Sequence, residues 1–471
     1  MIQLYLRGTK ADNLWRIKPA IKSGLDIAPN PKLSPRFGES TRSRMFYLSM
    51  SSGAGRKETR MENIFVRCAG LDVHKESVEA CVRRIEPNGC VHSETRHWGT
   101  MTRDLLEMAD WLAAKGVTNV AMESTGVFWK PIFNILEIRF TVLLVKARHL
   151  KQVPGRKCDI RDCQWIAQLL QCGLLKGSFI PPRAQRELRD LTRHRTQLVE
   201  EKTRTINRIQ KVLEDANIKL ASVASDVMGV SGRAMIQRLI EGETNPFKLA
   251  DLAQRQLRGK IPELQKALEG KLTDHHRFLL KLLWKELSQQ EELIVDLDSK
   301  IEEHTRPFAA EIEHLDTIPG VDHRVAEVLL AEVGPDMKPF PSDEHLSSWA
   351  GMCPGNEESA GKRRRRRITP GNRWLKQTLA QAAWAASHAK NTYLAAQYRR
   401  LASHRGKKRA LIAVGHSILV IFYHMIRSGA SYADLGADFF DRLEPERLTH
   451  YYVKRLERLG YTVTLESSAA A

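Results

Sequence analysis

Ile64-Phe65-Val66-Arg67-Cys68-Ala69-Gly70-Leu71-Asp72 is a mostly apolar run that ends on a carboxylate. Residues 77–82 then alternate apolar and polar, and the pattern continues to Ile85. Pro87-Asn88-Gly89 has the composition of a tight turn, and a second alternating run follows over residues 90–98. A period of two on both sides of a turn predicts consecutive antiparallel strands. Residues 105–114 switch to helical spacing, and residues 117–123 read as a short strand that again ends on a carboxylate, Glu123. Helical and strand patterns alternate to about residue 145. The predicted class for this part is α/β, a sheet with a leading antiparallel meander and flanking helices.

That order of elements fits an RNase H-like layout for residues 62–184. On its C-terminal side, residues 185–217 are long, charged and helical, with Leu188, Leu191, Leu198, Ile206, Ile209 and Leu213 on the apolar stripe. A second such stretch runs over residues 264–303. Together they predict a helical coiled-coil arm, residues 185–306, able to serve in dimerisation, against the more ordinary reading of a helical bundle. Residues 307–430 read as a mainly α domain of short helices and loops. Residues 431–471 form a polar tail whose Ser-Ser-Ala-Ala-Ala end is expected to fray. On the N-terminal side, residues 1–61 mix Pro29, Pro31 and Pro35 with Ser, Gly and Arg and lack periodicity, which predicts disorder and makes Met61 a candidate natural start.

Composition limits the function. The 471 residues carry 74 Lys and Arg against 55 Asp and Glu, a formal charge of +19. Neutralising phosphates with such side chains releases condensed counterions, so a nucleic acid is the expected partner. Seven cysteines, an odd number with no CxxC pair, argue against a disulfide framework or zinc knuckle and for a reducing cytoplasm. The most apolar stretch, residues 410–426, contains His416, Ser417 and His424 and is short of the ~20 residues of a bilayer span. It is expected to be a buried core helix, with no membrane partner.

Four carboxylates stand out. Asp72 and Glu123 end apolar runs, and strand ends are where a sheet presents side chains to a cleft. Asp159 and Asp162, in Lys157-Cys158-Asp159-Ile160-Arg161-Asp162, open a helix on which a spacing of three shares one face. Converging carboxylates repel one another unless cations neutralise them, and hard oxygen ligands suit Mg2+ or Mn2+. Taken singly, each serves equally well as a helix cap or turn residue. Further along, Glu358-Ser359-Ala360-Gly361-Lys362 runs into Arg363, Arg364, Arg365, Arg366 and Arg367, and then Gly371-Asn372-Arg373. Lys362, this arginine run and Arg373 are expected to bind phosphates. Small neighbours leave Ser359 open to a bulky substrate, so it is a candidate nucleophile, against the more ordinary reading of an incidental serine in a flexible basic loop. Ile318-Pro319-Gly320-Val321-Asp322 resembles a helix-hairpin-helix turn, except that Asp322 replaces a glycine and would repel phosphate.

These motifs, in this order, resemble the DEDD transposases of the insertion-sequence-110 family. The resemblance rests on Gly70-Leu71-Asp72-Val73-His74-Lys75, Met122-Glu123-Ser124-Thr125-Gly126, Asp159-Ile160-Arg161-Asp162 and Leu188-Arg189-Asp190-Leu191-Thr192-Arg193. It continues through Ile318-Pro319-Gly320, Ala350-Gly351, Ser359-Ala360-Gly361-Lys362 and Gly371-Asn372-Arg373, covering roughly residues 62–427. It implies a RuvC-like N-terminal domain in which Asp72, Glu123, Asp159 and Asp162 bind Mg2+, and a C-terminal transposase domain in which Ser359 is the nucleophile. It further implies donor and target DNA, a noncoding bridge RNA, and dimers and tetramers whose active site takes carboxylates and serine from different subunits. The chain departs from the family in having Glu358 where a second serine often stands, and in its long arginine run. The alternatives that the residues leave open are a metal-dependent structure-specific nuclease and a non-catalytic nucleic-acid-binding protein.

Overall fold

The computed structural model describes residues 2–5, 18–21, 64–124, 126–147, 150, 161–353, 356–359, 362–365 and 371–465, with 2–5, 18–21, 356–359 and 362–365 described through their backbone alone. The chain divides into two units, one of Ile27–Ile180 and one of Met1–Asp26 with Pro181–Ala471. Strands β1 (Ile2–Tyr5) and β2 (Lys18–Ile21) pair antiparallel. The other residues of the stretch expected to be disordered lie outside the described ones.

In the unit of Ile27–Ile180, β3 (Arg67–Val73), β4 (Ser77–Ile85) and β5 (Val91–Gly99) form the antiparallel meander. Helix α1 (Thr102–Ala114) then carries the chain back, so that β6 (Asn119–Glu123) lies parallel to β3. Helix α2 (Trp129–Leu136) repeats the crossover to β7 (Thr141–Val145). The strand order is β5-β4-β3-β6-β7. Parallel pairing needs a crossover connection, and the two helices supply it.

The period of two sorts the sheet into two faces. Ala69, Leu71 and Val73, with Val78, Ala80 and Val82, and Val120 and Met122, face α1 and α2 and form one core with Leu105, Met108, Leu112, Ile132 and Leu136. The other parity, Cys68 and Ala121 among it, is covered by α3 (Asp162–Gln171), which buries Trp165, Ile166, Leu169 and Leu170 there. The closest approach is at Gly70. A Cβ at that position would lie 2.3 Å from the Ala167 nitrogen and 2.4 Å from the Cys163 carbonyl oxygen. Only glycine lets α3 lie this near to β3.

The unit that begins at Pro181 is built on two long helices, α4 (Arg183–Asp215) and, later in the chain, α9 (Asp274–Thr305). They run antiparallel, since Arg195 meets Asp298, Lys202 meets Glu291, Arg208 meets Glu286 and Asp215 meets His276. The second helix is shorter than the periodicity over 264–303 predicts, because residues 216–273 form a helical cap. Within it α5 (Leu220–Val223), α6 (Val230–Glu241), α7 (Pro246–Ala250) and α8 (Ile261–Ala267) bury Leu220, Met235, Leu239, Leu249 and Leu264 against Ile209, Leu213, Leu280 and Leu287. Two features separate Leu264 from α9. At Gly270 a Cβ would lie 2.6 Å from the Ala216 carbonyl oxygen, and Thr273 starts the helix in a capping box with His276.

After α10 (Ala309–Asp316), α11 (His323–Val333) and α12 (Asp343–Ala350), strands β8 (Asn356–Ser359) and β9 (Lys362–Arg365) pair antiparallel. Helices α13 (Arg373–His388), α14 (Tyr393–Arg405) and α15 (Lys407–Ser428) follow. The apolar α15 has the length and composition of a membrane span, yet 67 % of its apolar window is buried inside the protein. It buries Val414, Ile418, Leu419 and Phe422, and its Ser417 hydroxyl accepts from Gln397 Nε2 at 3.0 Å. The tail carries two more helices, α16 (Phe439–Leu443) and α17 (Pro445–Arg458).

Candidate functional site

The first cluster lies on the α3 face of the sheet. Asp72 is the penultimate residue of β3, and Glu123 is the last of the neighbouring parallel strand β6. The register pairs Leu71 with Met122, so Asp72 and Glu123 stand side by side one step further along. Neighbouring strands are about 4.8 Å apart. Both carboxylates share the parity of Gly70 and Ala121 and both are half-buried. Asp162 is the first residue of α3, the helix that Gly70 admits to this face, and it is exposed. Asp159 lies outside the described residues. Among the described residues, no group of three or more His, Cys, Asp or Glu side chains is placed to hold a metal ion.

The structure adds a carboxylate that sequence reasoning missed. Glu79 on β4 is the register partner of Asp72 and shares its face. Cys163 Sγ of α3 lies 4.0 Å from Glu79 Oε2, and Arg161 Nη1 is 4.0 Å from the same oxygen. Burial pushes the Cys163 thiol up to about 12, with the Cys81 thiol and the Glu79 and Asp72 carboxylates adding to the effect. This thiol stays protonated and packs with Cys81 and Ala167. His74 Nε2 sits 3.1 Å from Asp72 Oδ2. The one signal for Glu79 was its place in the alternation of residues 77–85, which reads equally well as a solvated face.

The second cluster surrounds Ser359. The chain leaves α12 through Gly351, a left-handed helix stop at φ 71°, and returns at Gly371. A Cβ on Gly371 would lie 2.2 Å from the Ala350 carbonyl oxygen, so the two ends of the serine-bearing segment touch. Within the segment the expected loop is partly a hairpin, with Ser359 opposite Lys362, Glu358 opposite Arg363 and Glu357 opposite Arg364. Arg366 and Arg367 lie outside the described residues. Arg373 is exposed at the start of α13, its guanidinium 4.6 Å from the Trp374 ring centre.

The Gly371-Asn372 pair then ties this segment to α4. Asn372 Oδ1 accepts from the backbone N–H groups of Trp374 and Leu375 and so caps α13. Its Nδ2 donates to Glu332 Oε2 at 2.5 Å. Glu332, on α11, is fully buried and takes Arg193 of α4 through two hydrogen bonds of 2.7 and 2.8 Å. Arg189 Nε donates to the Ala331 carbonyl oxygen at 2.9 Å, and burial pushes its guanidinium down to about 10 against the opposing pull of Glu332. Gln377 of α13 donates to Glu200 of α4 at 2.8 Å. Upstream, the helix-hairpin-helix turn is a packing element. Asp322 Oδ1 caps α11 by accepting from Val325 N at 2.8 Å, and a Cβ on Gly320 would lie 2.3 Å from the Ala382 carbonyl oxygen.

A DEDD transposase family matches residues 69–218, and the transposase family described as IS116/IS110/IS902 matches residues 312–399. The DEDD transposase domain is RNase H-like, as the mixed sheet of β3 to β7 is. A protein of Streptomyces coelicolor, described as the insertion element IS110 uncharacterized 43.6 kDa protein, is 27% identical over 308 residues, which cover 59% of this chain and 73% of that one. With a transposase match over each unit and an insertion-element relative that spans most of its own length, the chain belongs to the IS110 family of transposases.

Proposed function

We propose that this transposase cuts and rejoins DNA by a serine-linked strand transfer, with Asp72, Glu123, Asp159 and Asp162 holding Mg2+ or Mn2+. The observation that carries the metal part is the register of β3 and β6. It supports Asp72 and Glu123 as neighbours at the ends of adjacent strands, on the face covered by α3, the helix that begins at Asp162. An all-oxygen donor set of this kind fits a hard divalent cation. Such a cation, when bound, offsets negative charge developing on a phosphoryl oxygen.

Ser359 Oγ attacks phosphorus and forms an O–P bond as the P–O bond to the DNA leaving oxygen breaks; the serine proton passes to solvent, the leaving oxygen takes one up to become a hydroxyl, and one phosphodiester becomes a protein–DNA ester. A hydroxyl of the partner strand then attacks that ester and releases Ser359. Lys362, Arg363, Arg364, Arg365, Arg366, Arg367 and Arg373 bind the phosphates around the scissile bond. Donor and target DNA are the substrates. A noncoding bridge RNA pairs with them, and the active assembly is a homodimer or homotetramer in which α4 and α9 act as a coiled-coil arm.

Ser359→Ala and Asp72→Ala test the reading on the chain's own element. Strand transfer should vanish in both, and a Ser359–DNA adduct should be trapped only with the serine in place. A Ser359→Ala protein that still cleaves would assign the chain to a metal-dependent nuclease, in which activated water replaces the serine. An Asp72→Ala protein that retains full activity would remove the metal site.

A further inference from the structure

From the hydrogen bonds that join α4 and α13 to the buried carboxylate of Glu332 on α11, we infer that Glu332 and Asn372 are positioning residues for strand transfer, acting as a tether that fixes the serine-bearing segment on α4. The inference rests on Ser359 as the nucleophile proposed above. Both ends of the segment of residues 352–370 are fixed to the described core. At one end Ala350 and Gly351 close against Gly371. At the other, Asn372 makes two different connections with one side chain: Oδ1 caps α13, and Nδ2 donates to Glu332.

The cap needs only an acceptor, which Ser or Asp would supply equally well. The second connection needs a donor, and it goes to a carboxylate that is fully buried. Glu332 in turn holds Arg193, and Arg189 Nη2 donates to its backbone carbonyl oxygen. A buried carboxylate is expensive unless paired, so this geometry is fixed more firmly than a surface ion pair. The Gln377–Glu200 hydrogen bond anchors the next turn of α13 to the same helix. Movement of α4 is thereby transmitted to Gly371, where the chain returns from the segment that carries Ser359. Misplacing a reacting group by about 1 Å lowers a rate by roughly a hundredfold, which is the scale expected when the tether is cut.

The test separates the tether from the cap. Asn372→Asp keeps the cap acceptor and replaces the donor with an oxygen that faces Glu332. Asn372→Ser keeps the cap and cannot reach Glu332. In the pair Asn372→Asp with Glu332→Gln, the glutamine Nε2 donates to the new carboxylate, its Oε1 still accepts from Arg193, and the net charge is unchanged. Each full-length variant is assayed for recombination of the element that encodes it, for affinity to element-end DNA and for thermal unfolding.

Asn372→Asp and Asn372→Ser should lose about a hundredfold in recombination, with DNA affinity unchanged and the fold retained. The exchanged pair should recover most of that loss. Wild-type recombination by Asn372→Ser, or an exchanged pair no better than Asn372→Asp alone, overturns the tether. Should Asn372→Asp fail to fold, Asn372→Ser still decides. Ser359→Ala run in parallel keeps the two ideas apart: full activity there overturns the nucleophile, whereas loss of activity there with full activity in Asn372→Ser overturns only the tether.

Discussion

Gly70→Ala puts a single methyl group at the closest approach of helix and sheet in the RNase H-like unit. It would sit 2.3 Å from Ala167 N, 2.4 Å from Cys163 O and 2.9 Å from Ala167 Cα. All three are backbone atoms of α3, so no rotamer change relieves the clash, and ordinary van der Waals separation requires the helix to lift by about 1 Å. Overpacking of this kind costs about 1–3 kcal/mol. At ~2–4 °C per kcal/mol for a unit of this size, the unfolding midpoint should fall by several degrees. The functional effect should exceed the effect on stability, because the helix that moves begins at Asp162 while Asp72 and Glu123 stay on the sheet. Thermal unfolding and element recombination are measured on the same preparations, with Gly89→Ala as the control. Gly89 has a positive φ, 80°, and nothing lies within 4 Å of its Cβ position, so alanine there should lose stability alone, through backbone strain and without a clash. Wild-type recombination by Gly70→Ala would refute the claim that this glycine sets the position of Asp162.

Three further outcomes follow from the same structure. Burial lowers the pKa of His416 and His424 below the ordinary value of 6.5. Below about pH 6.5 the unfolded chain therefore binds protons that the folded chain does not, and stability present at neutral pH is lost as pH falls. A plot of denaturation midpoint against pH should be flatter in the double variant His416→Gln with His424→Gln, and an unchanged slope would contradict the assignment. Cys90 is exposed, whereas burial pushes Cys68 and Cys163 up to about 12, so iodoacetamide at pH 8 should label Cys90 and spare the other two. Mass spectrometry finding Cys163 labelled as fast as Cys90 would count against the close packing of α3. Replacing the basic side chains of residues 362–367 with glutamine should lower the slope of log affinity against log salt by ~0.9 for each duplex phosphate that is no longer neutralised. An unchanged slope would remove the run from the DNA interface.

The sheet was legible because its period of two continues across the turn at Pro87-Asn88-Gly89, from Ser77 to Trp98, and because β4 alternates buried apolar with polar residues. What Gly70 does was not legible, since the sequence holds no sign of which helix crosses it, 97 residues further on at Ala167. Glu79 was missed for the same reason. On an alternating strand its polar side reads as solvated until α3 covers it. The long helices were legible through charge and spacing, but the cap between them was not, because α5, α7 and α8 are too short to display a period. Arg189 and Arg193 looked like surface charges of an arm. Their partner Glu332 lies 139 residues from Arg193 in sequence, and nothing local marks it as fully buried.

One ambiguity of the sequence is narrowed by the structure in a way that bears on the proposed chemistry. An Asp or Glu at the end of an apolar run serves as readily to cap a helix as to bind a cation. Asp72 is followed by the turn into β4, where His74 N donates to Ser77 O, and no helix starts there. Glu123 is followed by α2, whose N-cap is Phe128. Asp162 lies inside the first turn of α3, whose N-cap is Arg161. Asp322 and Asn372, by contrast, both cap helices. These residues thus divide by task. The caps and glycines hold the frame, whereas Asp72 and Glu123 occupy no helix cap and stand as half-buried neighbours with Glu79 opposite Asp72. Placing like charges together is unfavourable in the fold itself; His74 already stands 3.1 Å from Asp72, and the divalent cation proposed above would add to that compensation.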